Sequence, residues 1–217
     1  MFRTIVPLGA LILAVSACGG GSTGALGQTQ VRAECDPGDV VCLQSSVAPL
    51  ARGATLALDI SSLTQGSAAV DLSLLSADEV VARVDGDAVI GGEPGVTAVL
   101  FLTPDGIVLD FIHLTVAEPT ALVVHRLTDD GESVAELEGR VQLLVGETFG
   151  VSAALRHQSQ DLAGKVAISW QTDPEIAPLL DSGSLGRKRI LARAPGRTVL
   201  QARAGGLITE IPLEVLP

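Results

Sequence analysis

The sequence predicts an all-β fold made of two tandem antiparallel sandwiches. Three observations carry that expectation. Apolar and polar residues alternate with a period of two in many short runs. Those runs are separated by Gly, Pro and Asp at spacings of roughly 8 to 12 residues, the rhythm of sandwich strands. The second half of the chain also repeats the pattern of the first.

Length and composition allow this architecture and exclude others. The chain has 217 residues, room for two domains of ordinary size. Hydrophobic residues make up 47% and charged residues 18%, which fits a folded chain and neither a disordered one nor a multi-span membrane protein. Lys and Arg total 14 against 25 Asp and Glu, a net charge of -11, with one Trp, four Phe and no Tyr. Nucleic acid is therefore excluded as a partner class, because phosphate contacts need clustered cations and single strands need stacking platforms.

The first element is an address. Met1-Phe2-Arg3 carries one cation, residues 4–17 are apolar apart from the break at Pro7, and Val15-Ser16-Ala17-Cys18 closes the run. The apolar core of about 13 residues is shorter than the roughly 20 that a spanning helix needs. Small residues precede its end, so residues 1–17 are expected to be a cleaved signal peptide. Val-Ser-Ala-Cys resembles the bacterial lipobox, in which lipoprotein signal peptidase cuts before the cysteine. That resemblance implies acyl chains, palmitate among them, on Cys18, and Gly19 behind it implies the outer membrane. Several acyl chains anchor stably where one does not. An ordinary secretory peptide with a stray Cys is the plainer alternative. Gly19-Gly20-Gly21-Ser22 opens a flexible tether, assigned to residues 18–34.

The remaining cysteines, Cys35 and Cys42, flank Asp36-Pro37-Gly38-Asp39-Val40-Val41. In an exported chain such a pair around a Pro-Gly turn reads as a disulfide, whose loop closure contributes about 2.5 kcal/mol. A metal site with Asp36 and Asp39 beside the thiols is the alternative.

Strands follow in the first domain, residues 35–118. Alternation marks 55–60, 70–74, 80–84, 97–102 and 108–116, with turns expected at Asp85-Gly86, Gly91-Gly92, Pro94-Gly95 and Pro104-Asp105-Gly106, where Gly supplies positive φ and Pro presets the first turn position. The second domain, residues 119–217, shows runs at 121–127, 140–145, 148–155, 166–172, 189–192, 198–204 and 207–215. The halves align. Arg52-Gly53-Ala54-Thr55 answers Val145-Gly146-Glu147-Thr148, Pro94-Gly95-Val96-Thr97 answers Pro195-Gly196-Arg197-Thr198, and Leu114-Thr115-Val116 answers Leu213-Glu214-Val215, at offsets of 93, 101 and 99. Near-constant separation argues a duplicated domain with length changes confined to loops, and places the boundary near Glu118-Pro119. A single long β domain is the alternative.

The second half resembles the group 2 bacterial immunoglobulin-like domain of intimin- and invasin-type surface proteins. The resemblance rests on Val145-Gly146-Glu147-Thr148, on Ile168-Ser169-Trp170 through Asp173-Pro174 to Ile176-Ala177, on Ala194-Pro195-Gly196 through Ala202, and on Leu213-Glu214-Val215. The first half matches at Ser76-Ala77-Asp78, Val84-Asp85-Gly86 and Pro94-Gly95-Val96-Thr97, but Leu74 stands near the place of the tryptophan. The resemblance implies two immunoglobulin-like sandwiches, the first degenerate, of the kind such proteins use as stalks.

Candidate sites are few. Trp170 sits mid-strand on the side that alternation assigns inward, so it reads as core rather than as a sugar platform. His113, His125 and His157 stand apart with no HxH or HExxH spacing and read as solvated; alternation points His113 away from Ile112 and Leu114. No G-x-S-x-G elbow occurs, and an enzyme is not expected. Asp129, Asp130 and Glu132, around Gly131, are candidate calcium ligands or a solvated acidic turn, without EF-hand spacing. Arg187-Lys188-Arg189, with Arg193, Arg197 and Arg203, concentrates six cations within 17 residues, which either face anionic lipid or balance the acidic remainder. The expected function is a non-enzymatic, lipid-anchored envelope protein without a cofactor, a surface spacer or adhesion module meeting a protein or glycan partner. The alternatives are a periplasmic accessory subunit of an envelope assembly and a calcium-dependent binding module.

Overall fold

The computed structural model describes residues 23–24, 27–34, 48–63, 72–128, 133–181 and 187–217. Every helix or strand among them is a strand, so the fold is all-β. The first half contains β1 (Thr23–Gly24), β2 (Gly27–Glu34), β3 (Leu50–Ala51), β4 (Thr55–Leu63), β5 (Ser73–Ser76), β6 (Ala82–Asp85), β7 (Ala88–Gly91), β8 (Gly95–Leu102) and β9 (Val108–Ala117). The second contains β10 (Ala121–Leu127), β11 (Ser133–Glu136), β12 (Val141–Leu144), β13 (Thr148–His157), β14 (Gln160–Asp161), β15 (Ser169–Gln171), β16 (Leu179–Asp181), β17 (Arg187–Leu191), β18 (Gly196–Ala204) and β19 (Leu207–Leu216).

Two sheets form in each half, and their strand orders correspond. The first half carries β1-β2-β4-β7-β6 and β3-β9-β8-β5; the second carries β11-β10-β13-β17-β16 and β12-β19-β18-β15. Even the exception to antiparallel pairing recurs, since β3 runs parallel to β9 and β12 parallel to β19. Individual hydrogen bonds recur at the offsets read from sequence. Arg52 N–H donates to the Ala117 carbonyl and Val145 N–H to that of Leu216, each at 3.0 Å; Gly53 N–H donates to Gly91 and Gly146 N–H to Ala192, each at 2.8 Å. In both halves an aspartate, after β5 and after β15, is pinned from two sides. Asp78 and Asp173 donate their N–H groups to Thr97 and Thr198 at 3.0 and 3.2 Å, while their carboxylates accept from Val80 N–H at 3.0 Å and Glu175 N–H at 2.9 Å. A local side-chain bond of this type closes a turn that the ladder cannot supply.

The buried faces of each sheet pair meet in a core where strand alternation places Leu56, Leu58, Val89, Val99, Leu114 and Val116 in the first half and Phe149, Val151, Ile190, Leu200, Ile211 and Leu213 in the second. Trp170 is half-buried and packs against this core, opposite Ala202 on β18. The matching pair in the first half is Leu74 opposite Phe101, the latter 0% exposed. A large residue facing a small one has become a medium residue facing a large one, which recovers the volume across the strand pair.

Strands also occur in the segment read as tether. Within residues 18–34, read as tether, β1 and β2 are strands, and β2 pairs with β4 along its length from Gln28 opposite Leu63 to Glu34 opposite Ala57. Residues Gly27–Glu34 therefore belong to the first sheet. Only Val31 and Ala33 are apolar in that strand, too few for a periodic run to mark it. Strands β7, β11 and β16 were likewise too short to register as periodic runs. Gly91 and Gly92, expected to supply positive φ, are absent from the positive-φ glycines. They serve close approach: a Cβ on Gly91 would stand 2.5 Å from the Ala51 carbonyl oxygen, and one on Gly92 2.2 Å from that of Val80.

Candidate interaction surfaces

A closely hydrogen-bonded region lies where the halves meet. The segment before β4 and the segment after β14 exchange main-chain bonds as two short strands would: Ala163 N–H donates to Pro49 at 2.8 Å, Ala51 N–H to Ala163 at 3.0 Å, Thr55 N–H to Lys165 at 3.0 Å, and Lys165 N–H to Thr55 at 2.7 Å. Gly164 makes this approach feasible. Its φ is +101°, and a Cβ there would lie 2.5 Å from Leu50 Cδ1 and 2.7 Å from Ala54 Cβ. The connecting residues Glu118, Pro119 and Thr120 are held from both sides. The Arg52 guanidinium bridges Glu93 at 2.7 Å and Glu118 at 3.1 Å. From the second half, His157 Nδ1 is 2.6 Å from the Glu118 carbonyl oxygen, so Nδ1 carries the proton. Thr120 N–H donates to Arg156 at 2.7 Å, and Gln158 N–H donates to Thr120 Oγ1 at 2.9 Å.

Behind that clamp, Arg156 forms ion pairs with Asp161 at 2.6 Å and Glu136 at 2.8 Å, and hydrogen bonding to Asp161 is the main reason its pKa is raised. His125 lies beside this group, and burial pulls its pKa below the ordinary histidine value, outweighing the opposite pull of Asp161 and Glu136. Two of the histidines read as solvated are thus structural: His157 in the clamp and His125 under it. His113 is exposed while Leu114 is buried, as alternation requires.

The outward faces of the two β9-type sheets differ in chemistry. On the second half, Arg197 pairs with Glu214 at 2.7 Å, Gln142 donates to Glu214 at 3.1 Å, and Gln201 donates to Glu210 at 2.7 Å. Hydrogen bonds from Gln142 and then Arg197 hold the Glu214 carboxyl below its usual value. On the first half, the positions matching Arg197–Glu214, Val199–Pro212 and Gln201–Glu210 carry Val96 opposite Thr115, Ala98 opposite His113, and Leu100 between Leu75 and Phe111, so the middle pair lacks a formal charge in both halves. The His113 and Phe111 rings meet edge to face with centroids 5.2 Å apart.

The six basic residues concentrated in the sequence do not form one patch. β17 and β18 belong to opposite sheets of the sandwich, so Arg187, Lys188 and Arg189 lie in one layer while Arg197 and Arg203 lie in the other. Lys188 pairs with Asp181 at 3.1 Å, Arg193 donates to the Pro174 carbonyl at 3.1 Å, and Arg203 donates to Gln201 at 2.7 Å. Cys18, Cys35, Cys42, Asp129, Asp130 and Glu132 lie outside the described residues. Among the described residues, no three His, Cys, Asp or Glu side chains converge as a metal site would need, and no helix is long and apolar enough to cross a membrane. The junction itself escaped sequence reading, because Leu162-Ala163-Gly164-Lys165 carries only a Gly as a signal.

No protein-family model matches the chain, and no curated protein matches it. Solved structures do. The S-layer protein SbsC is 20% identical with a TM-score of 0.32, covering 75% of this chain, which spans 23% of that one. The Yersinia pseudotuberculosis adhesin InvE is 12% identical with a TM-score of 0.34, covering 87% of this chain and 59% of its own. The D00-D0 domain of intimin is 10% identical with a TM-score of 0.29, covering 87% of this chain and 100% of its own. At TM-scores this low, none of these likenesses transfers a function.

Proposed function

We propose that the chain is a non-enzymatic, lipid-anchored protein of the cell envelope that acts as a surface spacer or interaction module, built from two immunoglobulin-like units. The observation that carries this reading is the junction. Four main-chain hydrogen bonds, with the linker gripped by Arg52 and His157, hold one sandwich in register with the next. A stalk needs that stiffness, because a flexible joint would let the distal unit fold back. The anchor is Cys18, and the distal unit, residues 119–217, presents its loops and sheet faces to a protein or glycan.

Protease accessibility on intact cells, with a tag after Pro217, tests the placement. Rapid loss of the tag while a periplasmic marker survives is expected. Protection until the outer membrane is permeabilised removes the adhesion role and leaves an accessory subunit facing the periplasm. Labelled palmitate incorporated into the wild type but not into Cys18→Ser tests the anchor separately.

A further inference from the structure

Strand register fixes which end of the first half lies nearest the anchor. β4 begins at Thr55, which bonds Lys165 across the joint, and ends at Leu63, about 26 Å away at roughly 3.3 Å per residue. The β1–β2 hairpin sits at that far end, since Gln28 lies opposite Leu63 and Thr23 opposite Gln28. The turn between β8 and β9 is there too, because Gly95 pairs with Val116 beside the joint and Leu102 with Val108 away from it. Ile107 in that turn and Val108 after it are each 47% exposed. Gly19, Gly20, Gly21 and Ser22 are all that separates Cys18 from Thr23. Whatever its conformation, so short a link reaches no farther than about 18 Å.

We propose that the first half rests this end on the lipid headgroups, so that the chain stands up from the membrane with the joint raised above it. The inference rests on the anchor at Cys18. A protein partner at this end would have to fit inside the reach of the link, which leaves the headgroup layer as the occupant. Charge agrees with that placement. Residues 19–31 carry none, whereas residues 32–118 hold 13 acidic side chains against Arg32, Arg52 and Arg83. Anionic headgroups repel that excess over a Debye length of about 8 Å. Laying a flank of the first half on the membrane is therefore opposed, and the uncharged hairpin segment is the part that tolerates contact. Ile107 and Val108 add apolar side chains that gain by leaving water, while the exposed Asp105 beside them stays in the hydrated layer. The second half then points outward: β13 runs from His157 at the joint to Thr148, about 30 Å from it and next to Val145.

Quenching in vesicles tests the contact. The full lipidated chain carries a fluorescent amino acid at Ile107, or at Asp105 should that substitution lower the yield. The vesicles are phosphatidylethanolamine and phosphatidylglycerol, doped with a lipid whose headgroup bears a nitroxide. Emission at Ile107 is expected to fall by about half relative to undoped vesicles, because the link holds it within reach of the headgroups; the same probe at Val145 is expected to stay bright. Chain that floats with the vesicles while Ile107 stays bright overturns the proposal and leaves the anchor standing. Equal quenching at Ile107 and Val145 also overturns it, since the chain would then lie flat. Wild type that fails to float, as Cys18→Ser should, removes the anchor and this proposal with it.

Discussion

Gly164 is the residue on which the junction turns. A side chain there would adopt a strained positive φ and press on Leu50 and Ala54 at once. Gly164→Ala is expected to lower unfolding stability by about 2 kcal/mol, read as a lower midpoint in urea. Trp170 makes a contrasting case. Its indole Nε1 is buried without a hydrogen-bond partner among the described residues, so Trp170→Phe should be close to neutral, whereas Trp170→Ala should cost about 3 kcal/mol. His125 sets a pH dependence whose sign follows from burial. Its folded pKa lies below the unfolded value of about 6.5, so the unfolded chain takes up a proton first as pH falls. The histidine's contribution is favourable above that value and is lost as pH drops through the folded pKa. Melting temperature should therefore fall from pH 7 toward pH 5, and His125→Gln should flatten that fall.

At the scale of elements, the long strands were legible because each buries one face: residues 121–127 read from alternation coincide with β10, and 108–116 falls within β9. The turns at Asp78 and Asp173 could be aligned but not explained, since their threonine partners are 19 and 25 residues away. β2 was hidden because only two of its residues, Val31 and Ala33, are apolar. The exchange of Leu74 and Phe101 for Trp170 and Ala202 was visible only as a missing tryptophan. It makes a quantitative expectation possible. Phe101→Ala alone should cost about 3 to 5 kcal/mol, and adding Leu74→Trp should return part of it, with a coupling of about 1 kcal/mol or more in a double-mutant cycle. Additive losses would mean that Leu74 and Phe101 do not share one cavity.

For the whole molecule, the offsets of 93, 101 and 99 in the sequence correspond to strand orders and hydrogen bonds that recur between the two halves. How the halves meet was not legible in the sequence, because main-chain bonds between Pro49, Ala51, Thr55, Ala163 and Lys165 depend on backbone position and leave no residue signature. Charges at the junction are exposed and screened by salt, so stiffness should persist at high ionic strength. Hydrogen exchange of the amides of Ala51, Thr55, Ala163 and Lys165 in the full chain tests the joint most directly. A fixed joint predicts protection approaching that of the β18–β19 ladder; exchange as fast as that of the exposed turn at Gly205 and Gly206 would mean that the two units swing freely and that the chain is no spacer.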